Sequence, residues 1–454
     1  MLILKDALLR KKIIKTAMPC IFEMVLYMMV GVVDVLIVGR LGPAPLAAVS
    51  LGAQIFFAIT LVVAALGVGS SILVAQAKGS RKQEMVDRVA SETVMVALAL
   101  GITAGIIALT FSKNILQVFA LEPDVFDLTL TYLRIVFYII PMSIAFNILN
   151  GLLRGMGRTD LPMKVALIGN LINCIGDYVF VYGKLGFPQF GVAGAAYATS
   201  LAHIVGFLIV IYILLSGNAG IHIKGSFLLK FQFKTLKSMF KLGLPTLGEQ
   251  FSVTMANILS SFLIIFLGTV AFASHQIAIS LESISFMPGY GISIAAVAMV
   301  GHAVGAENNQ SAQRIARGCL ELTCLLMGAV GLLFALFPYK LAAGFSPDWP
   351  VIAVAGELLF IAAFEQIPMA ISLTLGGILK GAGNTRAPMI ITILFICCFR
   401  FPLMFFMIHH WHLSIIHIWL LFVIDWILRS ISYAIVYHYT TLTRHAIVST
   451  VPNK

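Results

Sequence analysis

Asp34 stands in MPCIFEMVLYMMVGVVDVLIVGRLG (18–42), a stretch otherwise mostly apolar and long enough to cross a bilayer, which takes about 20 such residues. An aspartate at that depth costs about 2.5–3.5 kcal/mol on insertion scales, so it calls for a partner and a purpose. Partners are offered by GNLINCIGDYVFVY (169–182), where Asn170, Asn173 and Asp177 are spaced i, i+3, i+7 and therefore share one helix face. Two carboxylates with amide oxygens suit a small hard cation such as Na⁺, because hard cations take oxygen ligands. The same two acids can instead share a proton and titrate as a unit. Further acids lie in apolar segments: Glu249, Glu282 and Glu365, with the amides Gln54 and Gln276, are candidates for a substrate cavity or a second cation site. Other polar residues read as structural. Glu23, one turn beyond Pro19, stands evenly between such a reading, in which it satisfies freed backbone or pairs with Lys15, and a substrate role. Asp425 and Arg429 stand i, i+4 with the acid first, the favourable order for an intrahelical pair. Arg400 can neutralise an acid of the second half or anchor near an interface.

The elements that hold these groups follow from composition. Of 454 residues, 60% are hydrophobic and 11% charged, with a mean hydropathy of +1.00; soluble domains carry about 25% charged residues. Apolar segments of spanning length fall at 16–38, 46–76, 91–112, 130–151, 163–183, 191–215, 243–267, 271–300, 318–338, 351–376, 388–408 and 413–439. The expected fold is an all-α polytopic membrane protein with twelve transmembrane helices. Pro19 and Gly31 give the first helix places to bend. The six cysteines show no CxxC spacing and read as small packing residues. No cofactor is expected beyond Na⁺ as a coupling ion, and no catalytic motif (HExxH, GxSxG or a phosphate-binding loop) is present, so an enzyme is not expected.

The net charge of +11 is explained by topology. With the N-terminus cytoplasmic, 23 Lys and Arg fall in segments on that side, among them Lys5, Arg154, Lys224, Lys230, Lys380, Arg444 and Lys454. Four fall outside: Arg40, Lys113, Lys184 and Lys340. This positive-inside asymmetry predicts a multi-pass protein of the plasma (inner) membrane with both termini cytoplasmic. It leaves no case for a nucleic-acid partner.

An internal repeat organises the chain. GLLRGMGRTDLPM (151–163) matches GILKGAGNTRAPM (377–389), 226 positions on. The same offset pairs Pro19 with Pro245, Glu23 with Glu249 and Gly42 with Gly268. Two pseudo-symmetric six-helix lobes are expected, 1–216 and 243–440, joined by a basic cytoplasmic linker at 217–242 and followed by a cytoplasmic tail at 441–454. Parallel repeats of this kind are a transporter architecture, with the substrate site at the interface of the halves. The repeat does not extend to Asp34, which meets Ser260, nor to Asn173 and Asp177, which meet Phe399 and Leu403. The pocket of the first half is therefore asymmetric.

The chain resembles the multidrug and toxic compound extrusion (MATE) family, bacterial or archaeal type, over nearly its whole length. The stretches that carry the resemblance are AMPCIFEMVLYMMVGVVDVLIVGRLGPAPLAAVSLGAQ, GLLRGMGRTDLPM, GVAGAAYATS, GLPTLGEQ, SHQIAISLESISFMPGYG, GILKGAGNT and RFPL. It implies a two-lobed exporter of amphipathic, often cationic organic compounds, working by alternating access in exchange for H⁺ or Na⁺. It also implies a coupling site of Asp34, Asn173, Asp177 and Thr199, and suggests that the first span bends; Asn170 is added as a supporting polar residue by its place on the same helix face. Glu249 matches a glutamate used for Na⁺ binding in another branch, but the aspartate that accompanies it there falls near Met369 here, with Glu365 one turn earlier. A monomer is expected. The alternative, a flippase of lipid-linked precursors from the same superfamily, calls for a cationic cavity and often extra spans, which the intramembrane acids and twelve spans disfavour.

Overall fold

The computed structural model describes residues 6–119, 121–223, 227, 232–440 and 442. Lys5, Lys224, Lys230, Arg444 and Lys454, and the expected tail apart from Leu442, lie outside the described residues. All regular structure in the described residues is helical. The first half contains α1 (Ala7–Val38), α2 (Pro43–Ala64) continued by α3 (Val68–Gly79), α4 (Gln83–Gln117), α5 (Pro123–Tyr138), α6 (Ile140–Gly155), α7 (Asp160–Tyr182) and α8 (Val192–Leu215). The second contains α9 (Phe233–Ile265), α10 (Thr269–Gly305), α11 (Asn309–Leu336), the short α12 (Pro338–Ala343) and α13 (Trp349–Gly381). It ends with α14 (Arg386–Ile393), a π-helical segment Leu394–Arg400, α15 (Phe401–His409) and α16 (Ile415–Tyr439).

Ten spans among the described helices are long and apolar enough to cross a bilayer, and the pair α5–α6, bent by 56°, makes an eleventh. The bend sits at Ile139 and Pro141, where proline has no N–H to continue the helical ladder. The twelfth expected span lies in α9, a 33-residue helix whose apolar run is diluted by Glu249, Gln250 and Asn257.

The chain groups into two compact units, one of Phe22–Leu247 and one of the residues up to Ile21 together with those from Gly248 onward. Both boundaries fall inside long helices, two residues after Pro19 in α1 and two after Pro245 in α9. These are equivalent points of the repeat. The N-terminal unit is centred on Phe56, Tyr132, Leu133, Phe137 and Ile144, and the C-terminal unit on Leu281, Leu358, Leu359, Trp419 and Phe422.

The repeated motif has a packing reason. A Cβ on Gly155 would lie 2.5 Å from the carbonyl oxygen of Ser71, and one on Gly381 would lie 2.6 Å from that of Val297. These positions correspond under the repeat, so each unit brings two helices into backbone contact at its GLLRG or GILKG sequence. Helices in lipid associate through such small-residue approaches, because apolar side chains gain little by leaving lipid for protein. Gly42 and Gly268, which start the second span of each half, both adopt positive φ (119° and 98°), a region open to glycine and strained for other residues.

Candidate functional site

In the N-terminal unit the structure gathers Asp34 from α1, Asn173 and Asp177 from α7 and Thr199 from α8, all at 6% exposure or less. The Asp34 carboxyl lies within hydrogen-bonding reach of the Asp177 carboxyl and the Asn173 amide. Asn173 Nδ2 donates to Thr199 Oγ1 at 3.5 Å, and Thr199 lies in reach of the Tyr132 hydroxyl on α5.

Why these side chains meet follows from the α7 face. Asn170, one turn before Asn173, donates to the backbone carbonyl of Leu26 at 2.8 Å, and Tyr182 donates to that of Ile37 at 2.6 Å. Two hydrogen bonds thus fix α7 along α1 on either side of Asp34, and Asp177 is turned inward with them. α1 itself runs unbroken through Pro19 and Gly31, and a Cβ at Gly31 would meet nothing within 4 Å.

The chemistry lies in the oxygens left over. Asp34 Oδ1 and both carboxylate oxygens of Asp177 are buried without a hydrogen-bond partner. Two facing carboxylates have no donor between them, and buried charge without a partner is strongly unfavourable. A proton shared by the pair relieves this. So does a cation held by Asp34, Asp177 and the oxygens of Asn173 and Thr199, an all-oxygen donor set that fits Na⁺. A cavity of about 60 Å³ adjoins the cluster, lined by Tyr27, Asn170, Asn173, Thr199 and His203 among others. A water needs about 10–15 Å³ of such space, so this volume suits a few waters or an ion. Drug-sized ligands occupy about 300–1,000 Å³.

The other candidate acids are distributed differently. Glu23 pairs with Arg154 at 2.7 Å, not with Lys15 or freed backbone. Its repeat mate Glu249 pairs with Lys380 at 2.8 Å. Arg154 and Lys380 are themselves repeat mates, so the same ion pair is built once in each unit. The 226-residue offset aligns acid with acid and base with base, but it does not say that acid and base meet. Tyr132 carried no such signal: an aromatic in an apolar run looks like core. Glu282 and Glu365 come within hydrogen-bonding reach of each other, apart from Glu249 and its lysine. Gln54 and Gln276 are exposed. Asp425 and Arg429 form the expected intrahelical pair, at 3.0 and 2.7 Å. Among the described residues, no group of three or more His, Cys, Asp or Glu is arranged to hold a metal ion.

Twelve spans in two repeated halves, with ionisable groups buried inside them, define a membrane transporter of the repeat-built class. The MatE family profile matches residues 19–179 and again 245–406, the two matches starting at repeat-equivalent positions. The chain therefore belongs to the MatE family, whose members are transporters and not enzymes. It is 32% identical over 427 residues to "Probable multidrug resistance protein NorM" of Thermotoga maritima, covering 93% of this chain and 90% of that protein. It is 29% identical over 382 residues to "Multidrug resistance protein NorM" of Photobacterium profundum, covering 83% of each. In fold it is similar to a solved multidrug resistance MATE family transporter of the MOP superfamily in an outward-facing conformation, with a TM-score of 0.88 at 24% identity over 98% of this chain and 97% of that one.

Proposed function

We propose that this chain exports amphipathic, often cationic organic compounds by alternating access, in exchange for H⁺ or Na⁺ bound at Asp34 and Asp177. The observation that carries the reading is the facing carboxyl pair with three buried, unpartnered oxygens. A pair in that state is incomplete until a proton or a small cation joins it. Asn173 and Thr199 supply further oxygens, and Asn170 holds the α7 face in register. The NorM relatives are named for multidrug resistance, which supports a drug-like cargo.

Coupling needs only that cation and drug differ in their preference between two conformations. Entry of one cation charge down a membrane potential contributes about 2.3 kcal/mol per 100 mV, equivalent to roughly a fifty-fold gradient. Bending of α1 at Pro19 or Gly31 is the conformational step proposed. The basic bias of the segments assigned to the inner face supports a plasma-membrane location with both termini cytoplasmic, and a monomer contains the whole site. A lipid-linked-precursor flippase is the weaker reading, since it calls for a cationic cavity and the carrying observation here is a pair of acids.

The test uses protein in liposomes and ethidium as probe, first with a pH gradient and no Na⁺, then with a Na⁺ gradient and no pH difference. One gradient should drive uphill ethidium transport, and Asp34→Asn and Asp177→Asn should each abolish it. Uphill transport that survives Asp34→Asn would falsify the coupling site.

A further inference from the structure

The ion pair of Glu23 and Arg154 leaves one carboxylate oxygen over. Glu23 is 1% exposed, its Oε1 accepts from Arg154 at 2.7 Å, and its Oε2 is buried without a partner. A scaffold role uses only the first oxygen, and a buried acceptor left unpaired is costly. The position of Glu23 on α1 gives the second oxygen a use. Glu23, Tyr27, Val30 and Asp34 stand at i, i+4, i+7 and i+11, one stripe of the helix leading from the ion pair to the coupling pair. At the repeat positions on α9 the stripe reads Glu249, Val253, Ala256 and Ser260. The ion pair is therefore built in both units, but only in the first does a polar stripe lead from it to a second acid.

At 1.5 Å per residue, Asp34 and Glu23 are about 16 Å apart along the helix axis. Hydrogen-bonded oxygens stand about 2.8 Å apart, so about six links bridge that distance. The cavity of about 60 Å³ supplies the middle of the route, since Asn173 and Thr199 of the coupling site and Tyr27 of the stripe all line it. It has room for a few waters. The Tyr27 end is fixed from behind. Asn147 Nδ2 donates to the Ser143 carbonyl at 2.9 Å, which turns its Oδ1 towards Tyr27, and the Tyr27 hydroxyl donates to that oxygen at 3.0 Å. With its proton so engaged, the Tyr27 oxygen offers only lone pairs and can order a water by accepting from it. In the cavity wall His203 is held in the same way, with Nδ1 3.0 Å from Ser143 Oγ. The charges of Glu23 and Arg154 both act on the Tyr27 hydroxyl, and Arg154 and Tyr27 are the charged and titratable groups that face Glu23 among the described residues.

We propose that Glu23 is the inner proton carrier of the coupling site: a proton leaving Asp34–Asp177 crosses the cavity on waters, passes Tyr27 and is taken up at Glu23 Oε2 before release beside Arg154. At each hop an O–H bond breaks with its electrons left on that oxygen, and a lone pair of the next oxygen forms the new bond. Tyr27 and Arg154 are positioning residues. Tyr27 orders the last water, and Arg154 holds Oε1 so that Oε2 takes the proton. Arg154 lies in the GLLRG sequence, on the side that the basic bias assigns to the cytoplasm, and its side chain is 18% exposed, so the released proton meets water there. The route suits a proton and not Na⁺, which needs several oxygen ligands at every step and is repelled by the guanidinium. The inference rests on the cation-coupled reading above, with a proton as the ion.

The test follows ethidium in liposomes under a pH gradient without Na⁺, comparing the wild type with Glu23→Gln combined with Arg154→Met, which removes the carrier without stranding a charge. Net uphill transport should fall about 10²-fold, the low end of what a positioned proton carrier contributes. Exchange of ethidium at equal concentrations across the membrane, a partial reaction that needs no proton release, should continue. Infrared difference spectra between acid and alkaline pH should keep the carboxylic-acid C=O bands that Asp34→Asn with Asp177→Asn removes, which shows the pair intact but cut off. Loss of those bands or of exchange would mark a structural role and overturn the proposal, and so would net transport at the wild-type rate. Should the double variant not fold, Tyr27→Phe takes its place: slower net transport with exchange retained supports the route, and a wild-type net rate overturns it. Wild-type transport driven by Na⁺ alone would sink the proton route and spare the cation site. Proton-driven transport that survives Asp34→Asn would sink the coupling site itself.

Discussion

Replacing Arg154 with Met should destabilise the N-terminal unit more than replacing its repeat mate Lys380 destabilises the C-terminal one. Glu23 has a side-chain exposure of 1% and Arg154 of 18%, at 2.7 Å, and the second carboxylate oxygen of Glu23 has no partner. Arg154→Met therefore strands a buried carboxylate, and breaking a buried pair from one side costs about 3–5 kcal/mol. Glu249 and Lys380 meet at a similar 2.8 Å, but their side chains are 15% and 18% exposed. The second oxygen of Glu249 is likewise buried without a partner, so the contrast rests on the greater exposure of its side chain, for which roughly half that cost is expected. Glu23→Gln combined with Arg154→Met should recover most of the loss, because a neutral amide is far cheaper to bury than an unpaired carboxylate. The assay is equilibrium unfolding of purified protein in mixed micelles of dodecyl maltoside and increasing dodecyl sulfate, followed by helical circular dichroism. Tryptophan fluorescence is unsuitable, since all four tryptophans (Trp349, Trp411, Trp419 and Trp426) belong to the C-terminal unit. Equal costs for the two basic residues, or a double variant no better than Arg154→Met, would refute the reasoning.

Gly155→Ala and Gly381→Ala should each cost about 1–3 kcal/mol in the same assay, the usual range for overpacking, because the new methyl meets a backbone oxygen at 2.5 and 2.6 Å. Gly31→Ala meets nothing within 4 Å and should stabilise α1 by up to about 1 kcal/mol; a fall in ethidium turnover in that variant would locate the bend of α1 there, and unchanged turnover would remove Gly31 from the mechanism. Tyr182→Phe loses the 2.6 Å bond to the Ile37 carbonyl and should lower stability by about 1 kcal/mol, with ethidium export also reduced if α7 must be held along α1 to present Asp177.

Much of this was legible because two signals were strong. Apolar length announced the spans, and the offset of 226 announced the halves. The family profile repeats at that same spacing. Asn170, Asn173 and Asp177 were legible because helical periodicity places them on one face and an acid in an apolar run demands a partner. What periodicity cannot supply is distance across helices. Nothing in the order of residues says that Glu23 reaches Arg154, 131 positions away, in preference to nearby Lys15. Nor does it say that Glu282 meets Glu365 while Glu249 meets Lys380. The π-helical turn before Pro402 was equally hidden, because it depends on how one lost hydrogen bond is absorbed. The division into units was hidden for another reason: its boundaries lie inside continuous helices, where sequence composition does not change.

The asymmetry between halves can itself be put to a test. Ser260 occupies the repeat position of Asp34, is 6% exposed and has an unpartnered hydroxyl. If scaffold alone made a coupling site, Ser260→Asp would create one in the C-terminal unit. The neighbours argue against it. The mates of Asn173 and Asp177 are Phe399 and Leu403, which offer neither an amide nor a second carboxyl, and Phe399 lies within the π-helical segment, where a regular helix register no longer holds. An aspartate there has the insertion cost of Asp34, about 2.5–3.5 kcal/mol, without the partners that offset it. Ser260→Asp should therefore lower stability by about that amount and leave the carboxylic-acid bands assigned to Asp34 and Asp177 unchanged. The number of cations exchanged per ethidium should also stay the same. A stable variant with an extra cation exchanged would mean that position in the repeat, and not the local partner set, makes the site.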